Sequence, residues 1–304
     1  MSLPPTAAPP DEAPRAKGDP RATAALLIEA LPYIRQFRGK VVVVKYGGNA
    51  LAGDPGSEGR AMAAFAQDIV LMHSVGLLPV VVHGGGPQIG QLMARLGKVA
   101  EFRDGLRVTD AETLEIARMV LVGKVNPDIV GAINVHGPLA VGLSGEDARL
   151  ITAVARQGDL GYVGDVLEVD PTILRRLLAE DLIPVVATIG ADAAGQAYNI
   201  NADTVAGSVA VALAAEKLVF LTDVAGLRAD PDDPKTVLGR VNAAALDQLL
   251  TTGAAGGGMV PKVEACAQAV RAGVHRAHIL DGRVPHALLL ELFTDGGVGT
   301  MVTP

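Results

Sequence analysis

The chain has 304 residues, 49% of them hydrophobic, and a formal net charge of −7 at pH 7. This length allows one large domain or two fused lobes. The acidic balance, without a long basic run, argues against a nucleic-acid partner, and no apolar stretch approaches the roughly 20 residues that cross a membrane. The lone cysteine, Cys266, excludes an intramolecular disulfide and a cysteine-based zinc cluster.

The N-terminal region divides into a tail and a helix. Residues 1–20 are rich in proline and charge and contain no signal-peptide core, so we expect them to be disordered and the protein to be cytoplasmic. Residues 21–38 are predicted to form an amphipathic helix with apolar residues at helical spacing, kinked or split at Pro32. Such a helix either packs on its own domain or pairs with a neighbouring subunit.

After Gly39, short apolar runs alternate with amphipathic segments. Continuous β-branched runs are typical of strands covered on both faces, which predicts an α/β fold with a mostly parallel sheet flanked by helices. The predicted strands are Val41–Lys45, Pro79–His83, Ala140–Leu143, Pro184–Thr188, Leu218–Thr222 and His278–Leu280. The predicted helices are Gln88–Leu96, Ala111–Leu121, Pro171–Leu178, Asp203–Leu213 and Pro261–Ala272.

Two of these strands end in glycine-rich turns. The first delivers Lys45 to the turn that begins at Gly47, and the second runs through His83 into residues 84–86, followed by Pro87 at the start of a helix. Free N–H groups at such a turn favour an anion, and ligands of parallel sheets bind at the carboxyl ends of strands. Neither turn matches the Walker A motif or the dinucleotide fingerprint. One such turn could be incidental, but two favour a phosphate or carboxylate site.

Three charged residues stand near further strand ends or helix starts. Arg107 suits a carboxylate ligand, although a structural ion pair is the alternative. Asp203 follows two asparagines and either caps its helix or holds lysines in position. Lys262 lies in the first turn of a helix, where a cation is unfavourable unless an anion such as a polyphosphate is close.

Six segments together resemble the amino-acid kinase superfamily and, within it, the acetylglutamate kinases of arginine biosynthesis. They are KYGGNA at 45–50, VVHGGGPQI at 81–89, FRDGLRVT at 102–109, NINADT at 199–204, LTDVAGL at 221–227 and GGMVPKVEA at 257–265. The resemblance implies a three-layer α/β/α sandwich with a mostly parallel central sheet, like that of carbamate kinase. It also implies an N-acetylglutamate-binding lobe over residues 39–190 and an ATP-binding lobe over residues 191–304.

The activity implied by this resemblance is transfer of the γ-phosphoryl group of ATP, with Mg²⁺, to the γ-carboxylate of N-acetyl-L-glutamate. The implied catalytic residues are Lys45, Gly48, Asp203 and Lys262. The implied substrate-binding residues are Gly85, Gly86, Arg107 and Asn199. The implied nucleotide-binding residues are Gly47, Thr222, Asp223, Gly226, Leu227, Gly258 and Met259. No metal-binding side chains are expected.

The chain also resembles the arginine-inhibited members of that family. In those proteins an extra N-terminal helix links dimers into a hexameric ring, and residues 22–37 match it. An effector site for L-arginine is implied at His278, Glu291 and Gly297, although Glu291 could instead be a satisfied structural charge.

Three other functions stay open on the residues alone. A sibling kinase would phosphorylate another small acid, such as aspartate, glutamate or carbamate. A non-catalytic binding protein could keep the fold without the chemistry, but the joint presence of Lys45, Asp203 and Lys262 argues against it. The missing fingerprint disfavours a dinucleotide-dependent oxidoreductase.

Overall fold

The computed structural model describes residues 19–47, 58–103, 105–230, 233, 235–251, 257–294 and 297–304. The α-helices in this part of the chain are α1 (Pro20–Phe37), α2 (Glu58–Ser74), α3 (Gly86–Arg95), α4 (Ala111–Val120), α5 (Asn126–Asn134), α6 (Thr172–Ala179), α7 (Ala202–Ala212), α8 (Ala243–Thr251), α9 (Val260–Arg271) and α10 (Ala287–Phe293). A π-helical turn, Leu121–Val125, joins α4 to α5.

The strands of the described residues number fourteen. They are β1 (Val41–Tyr46), β2 (Leu78–His83), β3 (Phe102–Arg103), β4 (Leu106–Arg107), β5 (Ala140–Ser144), β6 (Ile151–Ala155), β7 (Val163–Val169), β8 (Ile183–Ala187), β9 (Ile189–Ala191), β10 (Ala197–Ile200), β11 (Lys217–Thr222), β12 (Arg240–Asn242), β13 (Arg276–Asp281) and β14 (Thr300–Thr303).

Eight strands form the main sheet, in the order β12-β14-β13-β11-β1-β2-β8-β5. The six from β13 to β5 are parallel to one another, and β14 runs antiparallel to β13. All six strands predicted from the sequence lie in this parallel part, so the predicted sheet is confirmed. One sheet therefore runs through both predicted lobes.

The sheet is covered on both faces because its central strands are apolar on both sides. Along β1, Val42 and Val44 belong to one core cluster and Val43 belongs to the other. Helices α2, α3, α4, α5 and α10 cover the first face, and helices α6, α7, α8 and α9 cover the second. The three-layer α/β/α architecture is thus confirmed.

A second, smaller sheet was not predicted. Strands β6, β7, β9 and β10 close into a small barrel, and β3 and β4 form a hairpin. The predicted lobe boundary between residues 190 and 191 falls inside β9, which pairs with β10 on one side. A boundary there would divide a paired strand, and the lobe assignment stays a prediction.

The five helices predicted after Gly39 are confirmed to within two residues at each end. The N-terminal helix spans Pro20–Phe37, with Asp19 as its N-cap, and it continues through Pro32 without splitting. The tail predicted to be disordered otherwise lies outside the described residues. None of the helices described is long and apolar enough to cross a membrane.

Candidate active site

The two glycine turns lie side by side at the carboxyl end of the parallel strands. Tyr46 of β1 pairs with His83 of β2, so the two turns leave the sheet together. The N–H of Gly84 donates to the carbonyl of Tyr46 at 3.3 Å. A Cβ on Gly47 would lie 3.1 Å from the nitrogen of Gly84, closer than most real contacts, so glycine permits this approach. The predicted catalytic residue Gly48 lies outside the described residues.

Asp203 joins the two predicted catalytic lysines. The Nζ of Lys45 lies 3.0 Å from Oδ1 of Asp203, and the Nζ of Lys262 lies 3.0 Å from Oδ2. The three side chains come from β1, α7 and α9 and are only 6–15% exposed. One carboxylate thus holds two ammonium groups, and the cluster keeps one positive charge in excess.

Asp203 is free for this role because Asn201 caps the helix. The Oδ1 of Asn201 accepts hydrogen bonds from the N–H groups of Asp203 and Thr204 at 2.8 and 3.2 Å. The alternative that Asp203 is the N-cap is therefore wrong. Burial favours a raised pKa for Asp203, but the charges of Lys45 and Lys262 outweigh it and hold the pKa below its usual value.

Replacing Asp203 with asparagine should destabilise the fold at neutral pH, because Lys45 and Lys262 would then lose their counter-charge. Removing one partner of a buried ion pair typically costs about 3–5 kcal/mol. Since the folded-state pKa is depressed, Asp203 stabilises the fold above its unfolded pKa of about 4. That stability is lost as the pH falls through the folded-state pKa.

Urea unfolding of the wild type and Asp203→Asn, repeated from neutral pH downwards, measures this contribution. The difference in the free energy of unfolding should shrink on acidification. A difference that stayed constant at every pH would contradict the depressed pKa of Asp203.

Arg107 lines the same cavity as Lys45 and Asp203. Its guanidinium donates to the carbonyl of Gly86 at 2.9 Å and lies 4.7 Å from the ring centroid of Phe102. Burial lowers its pKa. Within the part of the chain described here, Arg107 has no carboxylate partner in ion-pair range, so the alternative of a structural ion pair is not supported. A half-buried cation without a counter-charge is suited to an anionic ligand.

A cavity of about 220 Å³ connects these groups. Lys45 and Asp203 line it together with Arg107, Asn199 and the glycine turn; the turn residues are Gly84, Gly85 and Gly86. All four predicted substrate-binding residues therefore line one cavity together with two predicted catalytic residues. Because its cations outnumber its carboxylates, the cavity is suited to anions in an otherwise acidic protein.

The small barrel explains how Asn199 reaches this cavity. Asn199 lies on β10, and its Nδ2 is 3.4 Å from the Oγ1 of Thr109. Thr109 in turn donates to the carbonyl of Arg107 at 2.8 Å. The barrel and the β3–β4 hairpin are thus connected through Thr109, so that the amide and the guanidinium face one space.

The predicted nucleotide-binding residues are more dispersed. Gly258 lines a neighbouring cavity of about 550 Å³, which shares residues 105, 106 and 201 with the first. Thr222 ends β11 and donates to Asp223 at 3.2 Å. Leu227 is only 2% exposed, and its N–H and carbonyl are bonded to Thr300 and Leu238. Leu227 thus supports the turn that contains Gly226, and its contact with a nucleotide stays a prediction.

Met259 is the N-cap residue of α9, and Gly47 lies against the second glycine turn as described above. Neither residue lines the smaller cavity. Their contact with a nucleotide stays a prediction.

The predicted effector residues lie at a separate cavity of about 510 Å³ between α1 and the C-terminal segment. Glu291 and Gly297 line it, together with Tyr33 and Phe37 of α1. His278 is completely buried behind Glu291, with its Nδ1 2.9 Å from Oε1 of Glu291. His278 therefore reaches this cavity only through Glu291.

Some residues of the site were missed from the sequence. Phe102 stacks on Arg107, and Thr188 lines the cavity directly after β8. A polar residue at the end of a buried strand was an available signal for Thr188. Asn126, which contacts His83, had no such signal, because its position depends on the π-helical turn.

Comparison with known proteins agrees with this geometry. Residues 40–281 match the model of the amino acid kinase family. The chain is 54% identical over 288 residues to acetylglutamate kinase of Symbiobacterium thermophilum, covering 92% of this chain and 97% of that protein. It is 51% identical over 286 residues to acetylglutamate kinase of Methanothrix thermoacetophila, covering 91% and 97%.

Solved structures show the same fold. N-acetylglutamate synthase from Neisseria gonorrhoeae, complexed with coenzyme A and N-acetyl-glutamate, superposes with a TM-score of 0.79 at 32% identity. The match covers 92% of this chain but only 63% of that longer chain. Carbamate kinase from Giardia superposes with a TM-score of 0.65 at 18% identity, covering 87% and 99%, which supports the fold alone. The chain belongs to the amino acid kinase family, and within it to the acetylglutamate kinases.

Proposed function

We propose that the protein transfers the γ-phosphoryl group of ATP to the γ-carboxylate of N-acetyl-L-glutamate, giving an acyl phosphate and ADP. The observation that carries this proposal is a cavity lined by both Lys45, which Asp203 holds together with Lys262, and Arg107, which has no carboxylate partner among the described residues. A dicarboxylic acid has one anionic group for each of these two cationic places.

The chemistry needs little from the protein beyond positioning and charge. The attacking carboxylate is ionised at neutral pH, so no general base is required. Negative charge spreads over the transferring phosphoryl oxygens, and fixed cations nearby stabilise it. Lys45 and Lys262 supply those cations, and Asp203 keeps them in place while it remains a carboxylate.

The acceptor is held by residues that line the cavity together with Lys45 and Asp203. Arg107 receives the α-carboxylate, because a guanidinium can donate two parallel hydrogen bonds to it. Asn199 offers an amide to the acetylamino group, and Gly85 and Gly86, which line the same cavity, offer backbone N–H groups to the side-chain carboxylate. The nucleotide occupies the neighbouring cavity by Gly258, from which the phosphates reach Lys262.

Mg²⁺ is expected to arrive with ATP. In the described part of the chain no three His, Cys, Asp or Glu side chains are grouped so as to hold a metal ion. In phosphoryl-transfer enzymes Mg²⁺ usually keeps several waters and is bound largely through substrate phosphates. When bound, the ion would neutralise phosphate charge.

An acceptor panel tests the proposal. ADP formation from Mg-ATP should be fast with N-acetyl-L-glutamate and slow with L-glutamate, L-aspartate and carbamate, because only the first fills both the amide and the carboxylate positions. Turnover of an unacetylated acid without turnover of N-acetyl-L-glutamate would refute the substrate. ATP binding without turnover of any acid would indicate the non-catalytic alternative.

We further propose that the protein is cytoplasmic, that it is oligomeric and that its activity is regulated. We place the enzyme in L-arginine biosynthesis, as a homohexamer inhibited by L-arginine. The cavity by Glu291 supports an effector with a guanidinium and a carboxylate, since Lys217 and Glu291 provide both charges at its wall. Helix α1 carries an exposed apolar face that supports contact with another subunit; its residues are Leu26, Leu27, Ile28 and Leu31.

The double substitution Leu27→Glu with Ile28→Glu should convert the hexamer into dimers, because two charges would be placed on that apolar face. Inhibition by L-arginine should weaken as well, since Tyr33 and Phe37 of the same helix line the effector cavity. Sedimentation velocity and activity with added L-arginine measure both effects. Leu96→Glu, at another exposed leucine, is the control. A double variant that stayed hexameric would contradict the role of α1.

A further inference from the structure

A chain of hydrogen bonds leads from helix α5 to the second glycine turn. The Nδ2 of Asn126 lies 3.0 Å from Nε2 of His83 and 2.9 Å from the carbonyl oxygen of Val185. The Nδ1 of His83 lies 3.0 Å from the carbonyl oxygen of Gly84. Asn126 is 5% exposed and His83 is completely buried, so water does not compete for these bonds.

The positions of the protons follow from the partners. The carbonyls of Gly84 and Val185 can only accept, so Nδ1 of His83 carries a hydrogen and the Asn126 atom facing Val185 is the amide nitrogen. The second hydrogen of that nitrogen is directed to Nε2 at 3.0 Å, which is nearer than the carbonyl oxygen of Leu143 at 3.4 Å, so Nε2 accepts. His83 is a neutral imidazole protonated on Nδ1. In agreement, burial lowers its pKa to about 4, although the bond to Gly84 opposes that shift.

The space for these hydrogen-bonded side chains depends on the π-helical turn and on two glycines. A Cβ on Gly85 would lie 2.7 Å from Cδ2 of Leu121 in that turn. A Cβ on Gly142 of β5 would overlap the Oδ1 of Asn126. Single π-helical turns inside α-helices often occur at functional sites. Here the turn brings Leu121 against the glycine turn and brings Asn126 to His83.

The consequence for the active site concerns one N–H group. In a trans peptide the carbonyl and the following N–H point in opposite directions. His83 holds the Gly84 carbonyl on its buried side, so the N–H of Gly85 is directed away from His83, and Gly85 lines the cavity. Among the described residues no backbone acceptor takes that N–H, which leaves it available to a ligand.

We propose that Asn126 and His83 are positioning residues that orient the Gly85 N–H toward the acceptor carboxylate. Asn126 sets the tautomer of His83, and His83 sets the direction of the Gly84–Gly85 peptide. Neither residue contacts the reacting atoms. The inference rests on the proposed function only in naming the acceptor, because the tautomer is a property of the ligand-free protein.

Steady-state kinetics on four variants of the full chain test the positioning. Asn126→Asp replaces the amide donor with a carboxylate, which favours a proton on Nε2 of His83, and His83→Leu removes both bonds. Each should raise the KM for the acceptor at least about tenfold, because small displacements of a site group are costly. The KM for ATP should change by less than about twofold, since the nucleotide cavity contains neither residue. His83→Asn keeps a donor near the Nδ1 position and should restore most of the affinity.

Asn134→Ala is the matched control. Asn134 lies at the other end of α5 and ties that helix to Leu139 and Ala140, away from the glycine turn. It should lower the Tm without a selective change in KM. If Asn126→Asp and His83→Leu raised both KM values equally, as general loss of structure would, or if His83→Asn behaved like His83→Leu, the proposal would be overturned.

Solid-state ¹⁵N NMR with labelled histidine reports the tautomer without any substrate. The His83 signals are assigned by their absence in His83→Asn. We expect a protonated Nδ1 and a bare Nε2 in the wild type, and a protonated Nε2 in Asn126→Asp. A wild-type proton on Nε2 would refute the inference even if the enzyme were an active kinase. If the acceptor panel identified a different acid as the substrate, the same variants would be compared by their KM for that acid.

Discussion

Replacing Lys45 with methionine should lower kcat by about two to three orders of magnitude, which is the typical loss when one preorganised donor to a developing negative charge is removed. Lys45 is held by Asp203 at 3.0 Å and is almost fully buried, so its ammonium group is already in place before ATP binds. Methionine keeps much of the side-chain volume. The fold should survive because Asp203 retains its ion pair with Lys262.

Rapid-quench measurement of a single turnover separates the chemical step from product release. Lys40→Met is the control, since Lys40 precedes the same strand at its opposite end and is half exposed. A folded Lys45→Met enzyme that turned over at the wild-type rate would contradict the role of Lys45 in transfer.

Replacing Arg107 with glutamine should raise the KM for N-acetyl-L-glutamate by about 30- to 100-fold. Truncating one partner of a buried charged pair costs about 2–5 kcal/mol, and the half-buried position of Arg107 places the effect at the lower end. The KM for ATP should change little, because Arg107 does not line the neighbouring cavity. The effect should fall mainly on KM, since the proposed contact of Arg107 is with the carboxylate that does not react.

The matched control for this variant lies on the same hairpin. Arg103 is exposed and paired with Glu101 and Asp159, so Arg103→Gln should leave both KM values near those of the wild type. Equal KM changes for the two arginine variants would show that the hairpin, and not the Arg107 guanidinium, determines substrate affinity.

The main sheet was predictable because its strands are covered on both faces. Runs such as Val41–Val44 can be recognised as buried strands from their apolar, β-branched composition alone, and all six central strands were found in this way. The small barrel was not found, because β6 and β7 are partly exposed and β7 is interrupted by Gly164, Asp165 and Glu168. Helix α2 was missed although Phe65, Ile69 and Met72 recur at helical spacing and are buried.

The candidate site was partly predictable for a related reason. Lys45, Asp203 and Lys262 each stand beside a strand end or a helix start, where parallel sheets bind ligands, and the structure brings them together. Thr109 and Asp110 both precede α4 and have similar capping ability, but in the structure Asp110 caps α4 and Thr109 donates to the carbonyl of Arg107. Two adjacent residues with similar capping ability cannot be separated without the backbone geometry.

Contacts between distant segments were beyond the sequence. The bond between Asn126 and His83 joins residues 43 positions apart, and it requires a π-helical turn and a glycine on β5. No periodic pattern in the sequence indicates that these three features occur together.

We expect an acyl phosphate to form on the substrate that is bound in the cavity lined by Lys45, Asp203 and Arg107. Trapping with hydroxylamine tests it most directly, because an acyl phosphate is converted into a hydroxamate that can be identified by mass. Incubation of the enzyme with Mg-ATP, N-acetyl-L-glutamate and hydroxylamine should give N-acetylglutamyl hydroxamate in a one-to-one ratio with ADP, and Lys45→Met should lose both products together. Formation of ADP without the hydroxamate would contradict transfer to the carboxylate.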